Sequence, residues 1–323
     1  MKEVLMKSIF FFLWGMVLFV PHIAFSKVYL EKEVFQCDLK LCDASGQLIT
    51  GEVKTYYPNK ELMYHAQLKN GVPHGFLIAY YDNGKIESEE QYQNGVQDGV
   101  QKRYYHSGIL QAQAEFKNGV QEGEAYSYFS NGKIETKSHF KNEQLDGESL
   151  TYHSNGNLSA VNYYKNGKIN GLTKVYYANG KLHSEKYYKD DLIQGLARAY
   201  YPSGTLKSEA EMLDSIPHGK MKLYYYNGKL KEESTFFKGR MNGMRKEYYE
   251  SGALKSEGLL KMDIPEGGIS YYNEDGVKDL ELFYKNGVID YGYIRVNDNE
   301  MERLSGEFLR YVIENKEKFM KKM

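Results

Sequence analysis

Glycine, aromatic and charged residues recur every 24 residues between Gly51 and Asp290. A typical repeat holds a short run ending in Tyr-Tyr, then an Asn-Gly or Ser-Gly pair, then a second run ending in an aromatic residue. Strand-forming residues bounded by turn residues predict one β-hairpin per repeat. Ten repeats align without an insertion, and they begin at Gly51, Gly75, Gly99, Gly123, Gly147, Gly171, Gly195, Gly219, Gly243 and Gly267.

Four positions of the repeat show what each hairpin requires. The fifth residue after the opening glycine is Tyr in all ten repeats, and the sixth is aromatic in eight, with His153 and Asn273 as exceptions. The ninth is Gly except at Lys60, and the eleventh is Leu or Ile except at Lys278. We therefore predict an all-β repeat protein, a single-layer antiparallel meander of ten 24-residue β-hairpins with a C-terminal capping helix.

The Asn-Gly pair predicts a two-residue type I′ turn, because both central residues of that turn need positive φ. With Asn83-Gly84 as the loop, Tyr81 faces Ile86, Tyr80 faces Glu87 and Ile78 faces Glu89. The same register places opposite charges opposite each other, each pair stabilising by about 0.2–1 kcal/mol. The predicted pairs are Lys174 with Glu185, Arg198 with Glu209, Lys222 with Glu233 and Lys246 with Glu257.

This register separates the side chains onto two faces. One face is predicted to be packed: it carries the sixth-position aromatics, the Leu/Ile row (Ile86, Leu110, Ile134, Leu158, Leu182) and the strand-end aromatics, interleaved with Ala112, Ser184 and Ala210. The other carries Lys, Glu and Gln around the fifth-position tyrosines. We call these ten residues the tyrosine row: Tyr56, Tyr80, Tyr104, Tyr128, Tyr152, Tyr176, Tyr200, Tyr224, Tyr248 and Tyr272.

Two interpretations of the tyrosine row remain open. In the first, each ring covers the aliphatic stems of neighbouring Lys and Glu side chains and has a structural role. In the second, the row is a periodic aromatic stripe that docks an extended partner, since Tyr supplies rigid contact area at small entropic cost. The row is our candidate binding site.

Both ends of the array depart from the repeat. Residues 27–50 are predicted to be an N-terminal cap, a degenerate hairpin around Ser45-Gly46 in which Cys37 and Cys42 form a disulfide rather than two free thiols. Residues 291–323 form a C-terminal segment with a helix from Asp298 to about Lys318, for which Asn297 and Glu300 supply a capping box. Its apolar stripe covers the last strand or, alternatively, binds a partner or a membrane.

The first 26 residues are predicted to be a secretory signal peptide. Lys2 and Lys7 precede an apolar run from Ile9 to Val20, and Ala24-Phe25-Ser26 supplies small residues for cleavage after Ser26. The alternative, an uncleaved anchor, requires a longer run, because a helix needs about 20 apolar residues to span a bilayer. The sequence thus predicts a periplasmic or secreted protein.

The composition also limits the classes of partner and of chemistry that we expect. The chain has 42 basic and 43 acidic residues, so no bulk charge favours a nucleic-acid partner. The histidines are scattered, the two cysteines stand without a second Cys or His pair, and the glycines are spaced by turns rather than gathered in a phosphate-binding loop. We predict no catalytic, cofactor-binding or metal-binding residues and hence a protein that is not an enzyme.

The repeat resembles the bacterial MORN repeat variant family and its YwqK-type, antitoxin-like members. The matching core of one repeat is Gly171, Tyr176, Tyr177, Asn179, Gly180, Lys181 and Leu182, and a Tyr-Lys-Asn-Gly turn recurs at Tyr164 to Gly167 and Tyr284 to Gly287. The resemblance covers about residues 45–290. It implies a hairpin-repeat scaffold used for protein or lipid contact, with an antitoxin- or immunity-like role.

Two functional hypotheses follow. The first is an exported, non-enzymatic scaffold that binds another protein at the cell envelope or outside the cell. The second is a lipid or glycan binding module that uses the tyrosine row as a stacking surface.

Overall fold

The computed structural model describes residues 34–37, 40–297, 300–304 and 306–315. The predicted signal peptide lies outside these residues. The chain divides into two compact units, one ending at Gly123 and the other beginning at Glu124. Within each unit, successive strands pair antiparallel as consecutive hairpins, and the described residues include one short helix. The predicted all-β meander of 24-residue hairpins is confirmed.

The strands follow the repeat closely. The N-terminal unit contains β1 Val34–Cys37, β2 Lys40–Asp43, β3 Gly51–Tyr56, β4 Leu62–Lys69, β5 Val72–Tyr80, β6 Ile86–Gln93, β7 Val96–Gln97, β8 Gly99–Tyr104 and β9 Leu110–Lys117. Strand β10, Val120–Tyr128, spans the division. The C-terminal unit continues with β11 Ile134–Lys141, β12 Gln144–Tyr152, β13 Leu158–Lys165, β14 Lys168–Ile169, β15 Gly171–Tyr176, β16 Leu182–Lys189, β17 Leu192–Tyr200, β18 Leu206–Leu213 and β19 Ile216–Tyr224. It ends with β20 Leu230–Phe237, β21 Arg240–Met241, β22 Gly243–Tyr248, β23 Leu254–Lys261, β24 Ile264–Tyr272, β25 Lys278–Lys285, β26 Val288–Asn297, β27 Glu300–Arg303 and helix α1 Gly306–Glu314.

The Asn-Gly turn differs from the predicted type I′ turn. The amide of Gly84 donates to the carbonyl of Tyr81 at 2.9 Å, and the amide of Tyr81 donates to the carbonyl of Lys85 at 2.7 Å. Gly84 has a φ of +78°, whereas Asn83 keeps a negative φ. This is a type I turn followed by one left-handed residue, which places a bulge at the start of the next strand. Lys60 takes the same left-handed conformation, with a φ of +71°, in the one repeat that lacks the glycine.

The type I′ geometry occurs instead at the opposite end of the hairpin, between the second strand of one repeat and the next repeat. Asn94 and Gly95 have φ values of +51° and +83°, and Gln93 pairs with Val96 across the two-residue loop. Asp190 and Asp191 adopt the same positive φ values without a glycine. Asp side chains tolerate the left-handed conformation, so the turn forms there without a glycine.

The bulge shifts the predicted register by one residue near the Asn-Gly turn. Ile78 pairs with Glu89 as predicted, but Tyr80 pairs with Ile86, and the irregularity lies between Ala79 and Tyr80. The predicted pairs of Tyr81 with Ile86 and of Tyr80 with Glu87 are therefore wrong. All four predicted charge pairs lie beyond the bulge and are confirmed as register partners.

The same shift moves the Leu/Ile row to the other face. Because Tyr80 and Ile86 are direct cross-strand partners, their side chains share a face, and this pairing recurs from Tyr56 with Leu62 to Tyr248 with Leu254. The residue after the Leu turns instead toward the sixth-position aromatic: the ring centroids of His183 and Tyr177 lie 4.6 Å apart. The prediction that the Leu/Ile row belongs to the packed face is wrong, since one extra residue in a strand reverses the side-chain alternation.

Large buried side chains concentrate at the two ends. Near the N-terminus, Ile49, Val53, Ala66 and Leu68 pack together, with Leu41 and Leu77 against them. Near the C-terminus, the buried cluster contains Tyr271, Leu280, Leu282, Tyr284, Leu304 and Val312. The repeats between them bury small polar residues instead, among them Ser149, Thr173, Ser234 and Ser256.

The N-terminal cap is a hairpin of β1 and β2, and a disulfide joins Cys37 to Cys42 with the Cα atoms 5.8 Å apart. A second turn follows, in which the amide of Gly46 donates to the carbonyl of Asp43. The amide of Leu41 donates to the carbonyl of Gly71, so the cap attaches to the type I′ turn of the first repeat.

The C-terminal segment departs from the predicted helix over its first half. Strands β26 and β27 form a hairpin in which Asn297 and Glu300 are register partners, and the Asn297 amide donates to the Glu300 carboxylate at 2.8 Å. The predicted capping box is therefore a hairpin contact, and a helix starting at Asp298 is wrong. Helix α1 begins at Gly306, and its Val312 and Leu309 pack on the C-terminal cluster, so it does cover the last strands.

Candidate functional site

An unbroken row of alternating charges crosses eight neighbouring strands of the C-terminal unit. Each member is the register partner of the next, so seven successive cross-strand pairs join opposite charges. Opposite charges placed across a strand pair stabilise the sheet, and their repetition keeps the strands in register. We call this row the charge ladder; it runs Lys174, Glu185, Arg198, Glu209, Lys222, Glu233, Lys246 and Glu257.

Ion pairs join several members of the charge ladder along the row. Arg198 lies between two carboxylates, with nitrogen–oxygen distances of 3.2 Å to Glu185 and 3.6 Å to Glu209. The ammonium of Lys246 lies 3.1 Å from the carboxylate of Glu257. Because these side chains keep between about a fifth and two fifths of their surface exposed, each pair contributes little alone and is screened by salt.

The tyrosine row lies on the same face as the charge ladder. Tyr56 is exposed and the other nine rings are half-buried. Four of their hydroxyls donate to the glutamate on the second strand of the preceding repeat, which fixes those rings against their neighbours. Tyr104 bonds to Glu89, Tyr200 to Glu185, Tyr224 to Glu209 and Tyr272 to Glu257, each at 3.0 Å.

These contacts shift the pKa values of the tyrosines and glutamates on this face. Burial and the hydrogen bond to Glu89 raise the pKa of Tyr104 to about 12. Burial and the Glu185 hydrogen bond likewise raise the pKa of Tyr200. The hydrogen bonds from Lys246 and Tyr272 hold the pKa of Glu257 below its ordinary value of 4.5. At neutral pH the face therefore presents neutral phenols beside charged carboxylates and ammonium groups.

This face also carries an apolar patch that lies outside the predicted binding site. Its members stand two residues from charge-ladder residues on the same strand, so strict alternation along each strand is the signal that reveals them. All five are between 40% and 48% exposed. We call them the outer apolar patch: Leu172, Tyr187, Leu196, Met244 and Leu259.

The charge ladder thus lies between two rows of side chains. The outer row is apolar on five of its eight strands and polar at Glu211, Lys220 and Thr235. On one side lie the tyrosine row and its Leu partners, such as Tyr176 with Leu182. On the other lies the outer apolar patch, in which Leu172 pairs with Tyr187 and Met244 with Leu259. We call this surface of residues 171–260, which carries both rows and the charge ladder, the ladder face.

The opposite face ties adjacent repeats together. The Tyr177 hydroxyl donates to the backbone carbonyl of Tyr200 at 2.8 Å, and Tyr201 makes the same bond to Tyr224 at 2.9 Å. Lysine ammonium groups lie over these rings, as Lys207 does at 5.8 Å from the Tyr201 ring centroid. The sixth-position aromatics therefore have a structural role.

The side chains that could ligate a metal ion are scattered over the described residues. Within them, no three His, Cys, Asp or Glu side chains are grouped in a way that holds a metal ion. The recurring Pro-His-Gly histidines make contacts within the array: His74 accepts from the amide of Asn94 at 3.3 Å, and the ring of His218 packs on Phe237. Helix α1 falls short of the length and apolarity needed to cross a bilayer, and no other described helix meets that requirement.

Comparison with known proteins matches the repeat to a family. The model of the MORN repeat variant matches nine segments, residues 49–70, 74–94, 97–118, 121–142, 145–166, 169–190, 193–214, 217–238 and 241–262. Together these segments cover more than half of the chain. No curated protein matches the chain.

Solved structures give distant matches. A chain in the crystal structure of TcdB2-TccC3-Cdc42 is 12% identical, covers 84% of this chain and 17% of its own length, and has a TM-score of 0.19. A chain of the Photorhabdus luminescens Tc holotoxin pore is 14% identical, covers 82% of this chain and 15% of its own length, and has the same TM-score. The present chain spans less than a fifth of those chains, and scores this low carry no argument about its function.

Proposed function

The chain belongs to the MORN repeat variant family, and from this premise we propose that it is an exported, non-enzymatic scaffold that binds another protein. It acts at the cell envelope or outside the cell, in an antitoxin- or immunity-like role. The tyrosine row is its contact surface. The scaffold presents the same side chains at regular intervals, as repeat proteins that bind extended partners do.

The observation that carries this proposal is the anchoring of the tyrosine row. Each hydroxyl that bonds to a glutamate of the preceding repeat, as Tyr200 does to Glu185, holds its ring in one orientation. Successive rings stand about two strands or ~10 Å apart, with one ring edge open to solvent. Aromatic side chains that are already ordered lose little entropy on binding, so a fixed row suits docking of an extended partner.

The carboxylates of the ladder face support a role without catalysis. Glu185 and Glu209 both engage Arg198, and Glu257 engages Lys246 and Tyr272. The same set of contacts recurs from repeat to repeat, which is the arrangement of a structural ladder rather than of a single reactive pair.

The docking role is tested by replacing Tyr152, Tyr176 and Tyr200 together with Ser. We expect capture of partner proteins from the native envelope fraction to fall while the melting temperature stays nearly unchanged. The matched control replaces the same three residues with Phe, which keeps the rings and should keep the capture. A melting temperature lower by many degrees, without a selective loss of capture, would show that the row is structural.

Export is tested separately by sequencing the N-terminus of the protein recovered from the periplasm and the medium. The proposal expects the mature chain to begin at Lys27. Recovery of the full-length chain in the cytoplasmic fraction alone would contradict export without touching the docking proposal.

The alternative function is a lipid or glycan binding module, which the regular exposure of tyrosine rings favours because aromatic rings also stack on sugars and sit at membrane interfaces. Co-sedimentation of the purified chain with envelope lipid vesicles or cell wall, in the absence of other proteins, distinguishes the two. Binding there that the Ser variant loses would favour the alternative.

A further inference from the structure

We propose that the ladder face binds a second copy of this chain, through an arrangement with two-fold symmetry. The axis lies between the two facing copies, runs parallel to the strands, and crosses the middle of the charge ladder between Glu209 and Lys222. This inference rests on the proposed function, because it assigns the partner of the same face over repeats six to nine. It leaves Tyr56 to Tyr152 of the tyrosine row available to a different protein, whereas Tyr176 and Tyr200 lie within the face that the second copy covers.

The charge ladder is self-complementary under that symmetry. A two-fold axis reverses the order of the strands in the second copy, so the first member of the ladder faces the last. Because eight charges alternate in sign, reversal places each one opposite a charge of the other sign. Lys174 then faces Glu257 of the second copy, and Glu209 faces Lys222. A ladder with an odd number of members, or with one break in the alternation, would place like charges together.

The apolar rows match under the same operation. Because the axis runs parallel to the strands, rotation lays each row of one copy over the same row of the other, in reverse strand order. Leu172 comes opposite Leu259, Tyr187 opposite Met244 and Glu211 opposite Lys220, while Tyr176 of the tyrosine row comes opposite Leu254. Within the C-terminal unit, each side chain of the outer apolar patch keeps at least 40% of its surface exposed. In the dimer, apolar side chains of the second copy cover much of that surface.

The size of the face sets the strength of the association. Eight strands at about 4.8 Å spacing extend about 34 Å, and five residues along a strand extend about 16 Å. Two such faces bury roughly 1,100 Å² in total, just above the ~1,000 Å² that a biological interface needs and below the standard range. Charges taken from water offset part of the gain from apolar burial, so the ladder sets the register while the apolar rows supply the attraction. The structure therefore predicts a reversible, salt-sensitive dimer.

Analytical ultracentrifugation of the purified mature chain tests the prediction directly. Over a dilution series at low salt, we expect a monomer–dimer equilibrium without larger species, since a two-fold interface closes on itself. The dissociation constant should rise about tenfold or more in 1 M salt, where the Debye length shortens from about 10 Å at 0.1 M to about 3 Å. A chain that stays monomeric at every concentration, or that forms open-ended oligomers, overturns the proposal.

Charge reversal tests the position of the axis. Lys222→Glu places Glu against Glu209 twice across the axis, and Glu209→Lys places Lys against Lys222 twice, so each variant alone should dimerise about tenfold or more weakly. An equal mixture of the two should form a heterodimer of wild-type strength, because each reversed residue now faces its opposite. Native mass spectrometry of differently tagged chains detects that heterodimer.

The outcomes separate this inference from the proposed function. Circular dichroism melts of both variants establish that they are folded. A weaker dimer then reports a change at the interface and not a loss of the fold. A folded mixture that fails to form the heterodimer overturns the two-fold arrangement. If the wild-type chain is monomeric but still captures an envelope protein through the tyrosine row, only the self-association is wrong. If it dimerises but captures no other protein, only the earlier proposal is wrong.

Discussion

The last repeat and the repeats in the middle of the C-terminal unit share a 24-residue pattern but are stabilised differently. In the last repeat, Leu280 and Leu282 are fully buried against Val312 of helix α1. In the middle, the equivalent positions hold Ser184 and Lys186 or Ser208 and Ala210, and no large side chain is fully buried. A repeat flanked by two others needs no large core, because its neighbours on both sides complete its hydrogen bonds.

The difference shows what a terminal repeat must add. An end strand has neighbours on one side only, so it loses half of the cross-strand contacts and exposes an edge that invites aggregation. The C-terminal hairpin and helix, and the disulfide-linked N-terminal hairpin, cover these edges with apolar packing. The middle repeats depend instead on backbone geometry, hydroxyl bonds and charge pairs, each of which is small and recurs many times.

The largest expected effect separates the two regions by truncating one leucine of the second strand in each. Leu282→Ala empties a fully buried site and should lower the free energy of unfolding by about 2–5 kcal/mol. Leu182→Ala removes a half-buried side chain from the ladder face and should cost about 1 kcal/mol or less. Denaturant unfolding followed by circular dichroism measures both, and equal losses would contradict the distinction between end and middle.

A second test asks whether the middle repeats depend on backbone geometry. Gly219 has a φ of +116°, and a Cβ there would collide with the Glu211 side chain, so Gly219→Ala should cost about 1–3 kcal/mol. Gly195 occupies the same position of the preceding repeat with a φ of +73° and no atom within 4 Å of an added Cβ. Gly195→Ala is thus the matched control, with a smaller expected loss in the same unfolding experiment.

A third test removes one bond between adjacent repeats. Tyr201→Phe deletes the hydroxyl that donates to the Tyr224 carbonyl at 2.9 Å and should cost about 0.5–1.5 kcal/mol. Tyr226→Phe is the control, because that ring is 60% exposed and packs on Tyr201 through its ring. Thermal melts of the two variants should differ by a few degrees at most. A larger loss for Tyr226→Phe would show that the inter-repeat bond matters little.

The smallest expected effect concerns pH. Since the pKa of Glu257 is lowered in the folded state, its contribution is present above the unfolded value near 4.5 and is lost as the pH falls through the folded pKa. Glu257→Gln should therefore make the fall of the melting temperature from pH 7 to pH 3 shallower, by an amount near the limit of detection for an exposed pair. A Glu257→Gln chain whose melting temperature falls more steeply than that of the wild type over this range would contradict the assignment.

Much of the repeat could be read from residue types alone. A tyrosine that recurs ten times and charges such as Lys246 and Glu257 at fixed spacing predict strands, hairpins and the central register, because cross-strand pairing acts between near neighbours. The apolar spacing predicts a helix that begins too early, because Met301 and Leu304 fit both a helical stripe and a short hairpin. Sequence periodicity does not distinguish the two when the segment is only a few residues long.

The sequence by itself determined the number of hairpins, the tyrosine row and the alternating charges, because these depend on contacts within one repeat and with the next. Only the tertiary structure decided which face each row occupies. One left-handed residue at Gly84 and its equivalents adds a bulge, and that bulge carries the Leu/Ile row to the side of the tyrosines and the charge ladder. Side-chain alternation has a period of two residues, so a single extra residue reverses it, and the dihedral angles of one turn decide which surface the protein presents.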